Sequence, residues 1–136
     1  MIAKTLTAFV ATGLAFAAID SIWLITMAPR LYKPEIGELM ADQFRLVPAI
    51  IFYLLYISGI LIFAVRPGLT AGSWQVALVQ GAMFGFFCYM TYDMTNYATL
   101  RIWSLKVTIL DLIWGTFLTG AAAAVGTIIT QKFFPN

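Results

Sequence analysis

Residues 89–106 read YMTYDMTNYATLRIWSLK, and they continue an apolar run, residues 76–87, of the kind that forms a membrane-spanning helix. Asp93 stands inside that span. At helical spacing Tyr89, Asp93, Asn96 and Tyr97 fall at i−4, i, i+3 and i+4, so they share one face. Even on lenient insertion scales an ionisable group at membrane depth costs roughly 2.5–3.5 kcal/mol. Asp93 is therefore a functional-site candidate by default, with Tyr89, Asn96 and Tyr97 beside it.

The rest of the chain has the same character. It has 136 residues, 62% of them hydrophobic and 10% charged, whereas a soluble domain carries about 25% charged residues. This predicts an all-α integral membrane protein, a single membrane domain over residues 1–136. Four transmembrane helices are expected at about 3–28, 46–65, 76–98 and 107–131. A net charge of +2 gives no reason to expect nucleic acid. His is absent, which removes the commonest general base and the usual zinc and haem ligand. The single Cys88 reads as a small apolar core residue.

Between the spans the breakers are clear. Lys4 ahead of an apolar stretch resembles a signal peptide, but the run is long for one and the Asp20–Trp23 context is poor for cleavage, so a retained helix is expected. Pro29 predicts the end of the first helix. Residues 29–45, PRLYKPEIGELMADQFR, are the longest polar segment. Ile36, Leu39 and Met40 have the i, i+3, i+4 spacing of a short amphipathic helix. The segment reads as an interfacial helix or loop lying over the bundle between helices 1 and 2. Arg66-Pro67-Gly68 predicts the stop of the second helix. Ala77, Gly81 and Gly85 form a ladder of small residues that lets another backbone approach closely.

Alternating spans place the ends of helices 1 and 3 and the start of helix 4 on one membrane face. Asp20, Asp93 and Asp111 then lie together, each roughly 7–12 Å inside its helix end. Glu35, Glu38 and Asp42 belong to that face as well, so every acid of the chain is on one side. Three neighbouring carboxylates require a cation or a bound proton. Arg30, Arg101 and Lys106 are available to pair with them. The aromatics Trp23, Tyr92, Tyr97, Trp103 and Trp114 suit the walls of a pocket for a cationic or amphipathic ligand, and they fit an interfacial aromatic belt equally well. Structural roles compete with these readings. Thr108-x-x-Asp111 matches a capping box, and Asp20 could clamp helices through Arg30 or Arg101.

No established catalytic motif appears, so no catalytic residue is assigned, and spacing does not support a metal site or call for a cofactor. The candidate ligand or proton site is Asp93, Asp20, Asp111, Asn96, Tyr97, Tyr89, Arg101, Trp23 and Trp114. The leading expectation is a transport-type protein, with an acid- and aromatic-lined intramembrane pocket that binds a small cationic or amphipathic ligand or exchanges protons. The alternatives are a small membrane enzyme acting on a lipid or fatty-acyl substrate, with Asp93 as general acid/base and Tyr97 or Arg101 orienting the substrate, and a structural subunit of a membrane complex. Membrane lipids are the expected partners. Four short spans enclose little volume, so transport would require a homodimer or larger membrane complex.

Several pieces carry a resemblance: Ala18-Ile-Asp20-Ser-Ile-Trp23, Thr91-Tyr-Asp93-Met-Thr-Asn96, Ala98-Thr-Leu-Arg101 and Asp111-Leu-Ile-Trp114-Gly. The chain resembles the DUF2177 family of small bacterial inner-membrane proteins over nearly its whole length. That resemblance implies four spans and a bacterial inner membrane, and it brings no reaction with it. Orientation sets two arguments against each other. The acid-bearing face has Arg30, Lys33, Arg45, Arg101 and Lys106, the other only Lys4, Arg66 and Lys132. A plain positive-inside count puts the acids in the cytoplasm. The bases on that face can pair with acids, and discounting them predicts cytoplasmic termini with the acids on the extracytoplasmic side.

Overall fold

The helices expected to stop at two prolines run on through π turns instead. The computed structural model describes residues 1–136. Its first helix, α1 (Ile2–Met27), passes through a π-helical turn, Ala28–Tyr32, into a short α2 (Lys33–Ile36) and a 3-10 turn, Gly37–Leu39. Pro29 falls in the π turn, where Lys33 N–H reaches back five residues to the Ala28 carbonyl. The wider ring tolerates a residue that has no N–H and a bulky pyrrolidine. The helix therefore continues past position 28, where a stop was expected.

The second helix repeats this device. α3 (Leu46–Ile60) widens into a π turn, Leu61–Val65, and continues as α4 (Arg66–Ala71), with Pro67 in the first turn of α4. The expected stop at Arg66-Pro67-Gly68 is displaced to Gly72, whose φ of 64° is the left-handed conformation that ends helices. A Cβ on Gly68 would meet the Ala77 Cβ at 2.7 Å, so Gly68 serves close packing, not chain termination.

α5 (Trp74–Thr99) begins at Ser73, whose Oγ accepts the Val76 N–H at 3.3 Å. α6 (Leu105–Phe133) begins in the same way at Ser104, which accepts the Val107 N–H at 3.2 Å. Three helical runs, Ile2–Leu39, Leu46–Ala71 and Leu105–Phe133, are long and apolar enough to cross a membrane. α5 has 26 residues, about 39 Å at 1.5 Å per residue, and its polar second half dilutes its apolar character. The chain is thus an all-α membrane protein, a bundle of four long helices. Ile22, Ile25, Leu54, Leu55, Ile113 and Phe117 face outward, as lipid-facing side chains do.

α6 is the central helix and packs chiefly against α5 and α1. Its small residues explain why. The α5–α6 seam advances in four-residue steps along both antiparallel helices. A Cβ on Gly81 would stand 2.8 Å from the Ala123 Cβ, and one on Gly85 would overlap the Gly115 carbonyl and lie 2.6 Å from the Thr119 Cβ. One step further along α5, the Tyr89 ring occupies the space over Gly115. The ladder read from Ala77, Gly81 and Gly85 is the α5 half of this seam. On the other side, Gly126 admits Thr12 of α1.

Between α1 and α3 helical structure runs on through α2 and the 3-10 turn to Leu39, and residues 40–45 are irregular. Leu31 and Ile36 are buried against Val107 at the start of α6, with Trp23 and Trp103 alongside. Leu39 and Met40 face outward. This small second core holds the segment over the acid-bearing end of the bundle.

Candidate functional site

The next four-residue step of the seam places Asp93 on α5 and Asp111 on α6. Asp93 is fully buried, and neither of its carboxylate oxygens has a hydrogen-bond donor. Asp111, also buried, is its acidic neighbour across the seam. An ionised Asp111 is acceptor-only and so offers Asp93 no donor.

Asp111 has a donor from another part of the chain. Tyr32, carried on the π turn after α1, donates its hydroxyl to Asp111 Oδ1 at 2.5 Å, and Trp23 Nε1–H donates to the Tyr32 oxygen at 3.0 Å. The capping role offered by Thr108-x-x-Asp111 is not used. Ser104 caps α6, and Thr108 Oγ1 instead accepts Trp103 Nε1–H at 3.0 Å while donating to the Ser104 carbonyl. As the seventh residue of α6, Asp111 is beyond the reach of the free N–H groups of the first turn.

Asp20 is the third buried acid. Tyr53 of α3 donates to its Oδ2 at 2.7 Å and Trp114 Nε1–H of α6 to its Oδ1 at 3.2 Å. The clamp expected between Asp20 and Arg30 or Arg101 is thereby replaced by a tyrosine and a tryptophan. Such donors satisfy a carboxylate without burying a second charge, and hydrogen bonds to a charged group contribute roughly 1.5–3 kcal/mol each. Trp114 stacks on Trp23 with ring centroids 4.4 Å apart and planes 9° from parallel. This stack joins the two halves of the cluster: Tyr53–Asp20–Trp114 on one side, Trp23–Tyr32–Asp111 and Asp93 on the other.

Of the residues singled out from sequence, the structure gathers Asp93, Asp20, Asp111, Trp23 and Trp114. Tyr89 is half-buried in the adjoining seam, and Asn96 is half-buried one turn beyond Asp93. Tyr97 and Arg101 face outward. Tyr92 packs edge-on against Trp103, ring centroids 5.6 Å apart, instead of walling the acids. The pocket expected to open on the acids is closed, because Tyr32, Tyr53 and the paired tryptophans fill the space. None of five cavities of about 400–640 Å³ on the protein is lined by Asp20, Asp93 or Asp111. The acids are not gathered into a metal-ligating set.

Sequence reasoning missed Tyr32 and Tyr53 as members of the site. Tyr53 carried a usable signal, a hydroxyl in the otherwise apolar span 46–65. Tyr32 carried none, because its place depends on the π turn that carries α1 past Pro29.

The polar pieces of the chain are thus distributed as one intramembrane cluster plus a covering segment. Neither a curated protein nor a solved structure matches the chain. Residues 5–128 match the model of DUF2177, described as a predicted membrane protein, a span that takes in every member of the cluster. The chain therefore belongs to the DUF2177 family of membrane proteins.

Proposed function

We propose that this is a transport-type membrane protein that takes up and releases a proton at the Asp93–Asp111 pair. The observation that carries the reading is the state of Asp93: fully buried, both oxygens without a donor, and facing a second carboxyl group. An isolated buried charge costs several kcal/mol, and two facing carboxylates add repulsion. One proton on Asp93 neutralises it and removes the repulsion, leaving a single charge on Asp111, which the Tyr32 hydroxyl stabilises. The covering segment supplies the access. Tyr32 and the Leu31–Ile36–Val107 contacts hold it shut over Asp111, and Glu35 Oε1 accepts Ser104 Oγ–H at 3.0 Å to fasten its far end. Displacing that segment opens Asp111, and with it the pair, to the acid-bearing face.

A second reading has its own observation. A groove of about 570 Å³ lies between α3 and α5, lined by Phe52, Tyr56, Cys88, Tyr89, Thr91 and Tyr92. Its aromatic walls and outward mouth suit an amphipathic ligand entering from the bilayer, with Tyr89 between that ligand and the acid pair. We also assign the chain to a bacterial inner membrane, with both termini cytoplasmic, from the family resemblance and the charge distribution.

The test is proton movement in vesicles. The protein is reconstituted with a pH-sensitive dye inside, and the outer pH is stepped. Faster equilibration with the native chain than with Asp93→Asn or empty vesicles is expected. Equal rates for the native chain and Asp93→Asn would overturn the proposal.

A further inference from the structure

The end of the bundle opposite the acids has its own cavity. It measures about 430 Å³, and its lining includes Lys4 and Thr5 from the first turn of α1, Leu61 from the second π turn, and Arg66, Leu69 and Thr70 from α4, with Met1, Ala8 and Asn136 completing it. No acidic side chain lines it. All six acids of the chain, Asp20, Glu35, Glu38, Asp42, Asp93 and Asp111, belong to the other end. The nearest along α1 is Asp20, 16 residues from Lys4 and about 24 Å away on a helix. Two cationic side chains thus share one opening, and no acidic side chain lines it with them. Lys4 and Arg66 belong to separate helices, and no sequence neighbourhood requires them to meet. The fold brings them together because the second helix continues past its proline: a helix ending at Val65 would not carry Arg66, Leu69 and Thr70 up against α1.

The chemistry of the lining selects its occupant. A guanidinium and an ammonium provide charge-assisted donors suited to phosphate oxygens, Arg in a fixed fork and Lys as a point charge. Thr5 and Thr70 place two hydroxyls beside them. Leu61 and Leu69 make one wall apolar, which a free anion would not use and a glycerol or acyl segment would. The cavity lies at the ends of two membrane-crossing runs, Ile2–Leu39 and Leu46–Ala71, and so at headgroup depth. We propose that this cavity binds a phosphate group, presented by the headgroup of an anionic phospholipid, with Lys4 and Arg66 as its ligands.

The test is native mass spectrometry of the full chain in detergent with phosphatidylglycerol, with diacylglycerol lacking the phosphate, or with inorganic phosphate. The native chain is expected to retain phosphatidylglycerol, to ignore diacylglycerol, and to keep the lipid in the presence of millimolar inorganic phosphate. Lys4→Gln/Arg66→Gln should weaken retention about tenfold or more, as loss of charge-assisted contacts does. Lys4→Arg/Arg66→Lys should restore it, which separates loss of binding from loss of fold. Lys33→Gln/Lys106→Gln, at the other end, should leave it unchanged. Equal retention by the native and doubly neutralised chains, or equal retention of diacylglycerol, would overturn the proposal. Displacement of the lipid by inorganic phosphate would overturn the lipid as the source of the phosphate.

Discussion

Asp93 and Asp111 meet at the end of the α5–α6 seam, four residues beyond Tyr89 on one helix and four before Gly115 on the other. The same close packing that lets Gly81 and Gly85 approach α6 brings the α5 and α6 turns that carry the two acids alongside each other. Seam and site are one construction. Ala77, Gly81 and Gly85 set the helix separation, Tyr89 seats its ring over Gly115, and the next step on each helix is an acid.

The seam is open to a direct stability test. Gly85→Ala places a methyl group against the Gly115 carbonyl and the Thr119 side chain. Overpacking of this kind costs about 1–3 kcal/mol, read as a lowered thermal midpoint in detergent. Gly37→Ala is the control, since nothing stands within 4 Å of a Cβ there. An unchanged midpoint for Gly85→Ala would show that the helices are not in close contact at this level.

Tyr32→Phe removes the hydroxyl between Trp23 and Asp111 while keeping the ring. It leaves one Asp111 oxygen and the Trp23 N–H without their partners. A buried polar group without its partner costs about 1–3 kcal/mol. The expected outcome is lower thermal stability together with a shifted tryptophan emission. Unchanged emission would place Tyr32 elsewhere.

How much of this was legible beforehand differs from residue to residue. The apolar runs and the face shared by Tyr89 and Asp93 follow directly from composition and from the 3.6-residue period. The gathering of Asp20, Asp93 and Asp111 needs only the alternation of four helices. Tyr32 was not legible, because Pro29 reads locally as a helix stop and the π turn that absorbs it is stabilised by packing of Leu31 and Ile36 on Val107. The closed site has the same origin. Donors from Tyr53 and Trp114 satisfy Asp20, and sequence spacing says nothing about contacts between separate helices. Arg66 met Lys4 for the same reason, through a helix that did not end where its proline suggested.

The start of α6 offers a third test. Ser104→Ala removes the cap on Val107 and the contact to Glu35. Loss of a serine cap costs about 0.5–2 kcal/mol. Faster amide exchange confined to the first turn of α6 and the covering segment is the expected readout. Thr108→Val, which leaves the Ser104 cap in place, should not reproduce it at residue 107.

Orientation is tested by fusing alkaline phosphatase after Lys132. With both termini cytoplasmic the fusion is inactive. An active fusion would restore the plain count of basic residues and put the acids in the cytoplasm.

The central claim is that Asp93 and Asp111 hold a proton between them, and infrared spectroscopy reads that proton directly. The native chain in detergent should show the carbonyl stretch of a protonated carboxylic acid, shifted by exchange into heavy water. That band should disappear in Asp93→Asn and in Asp111→Asn and persist in Asp42→Asn, whose parent side chain is exposed. A native spectrum without the band, or a band unchanged in both Asp93→Asn and Asp111→Asn, would contradict the account.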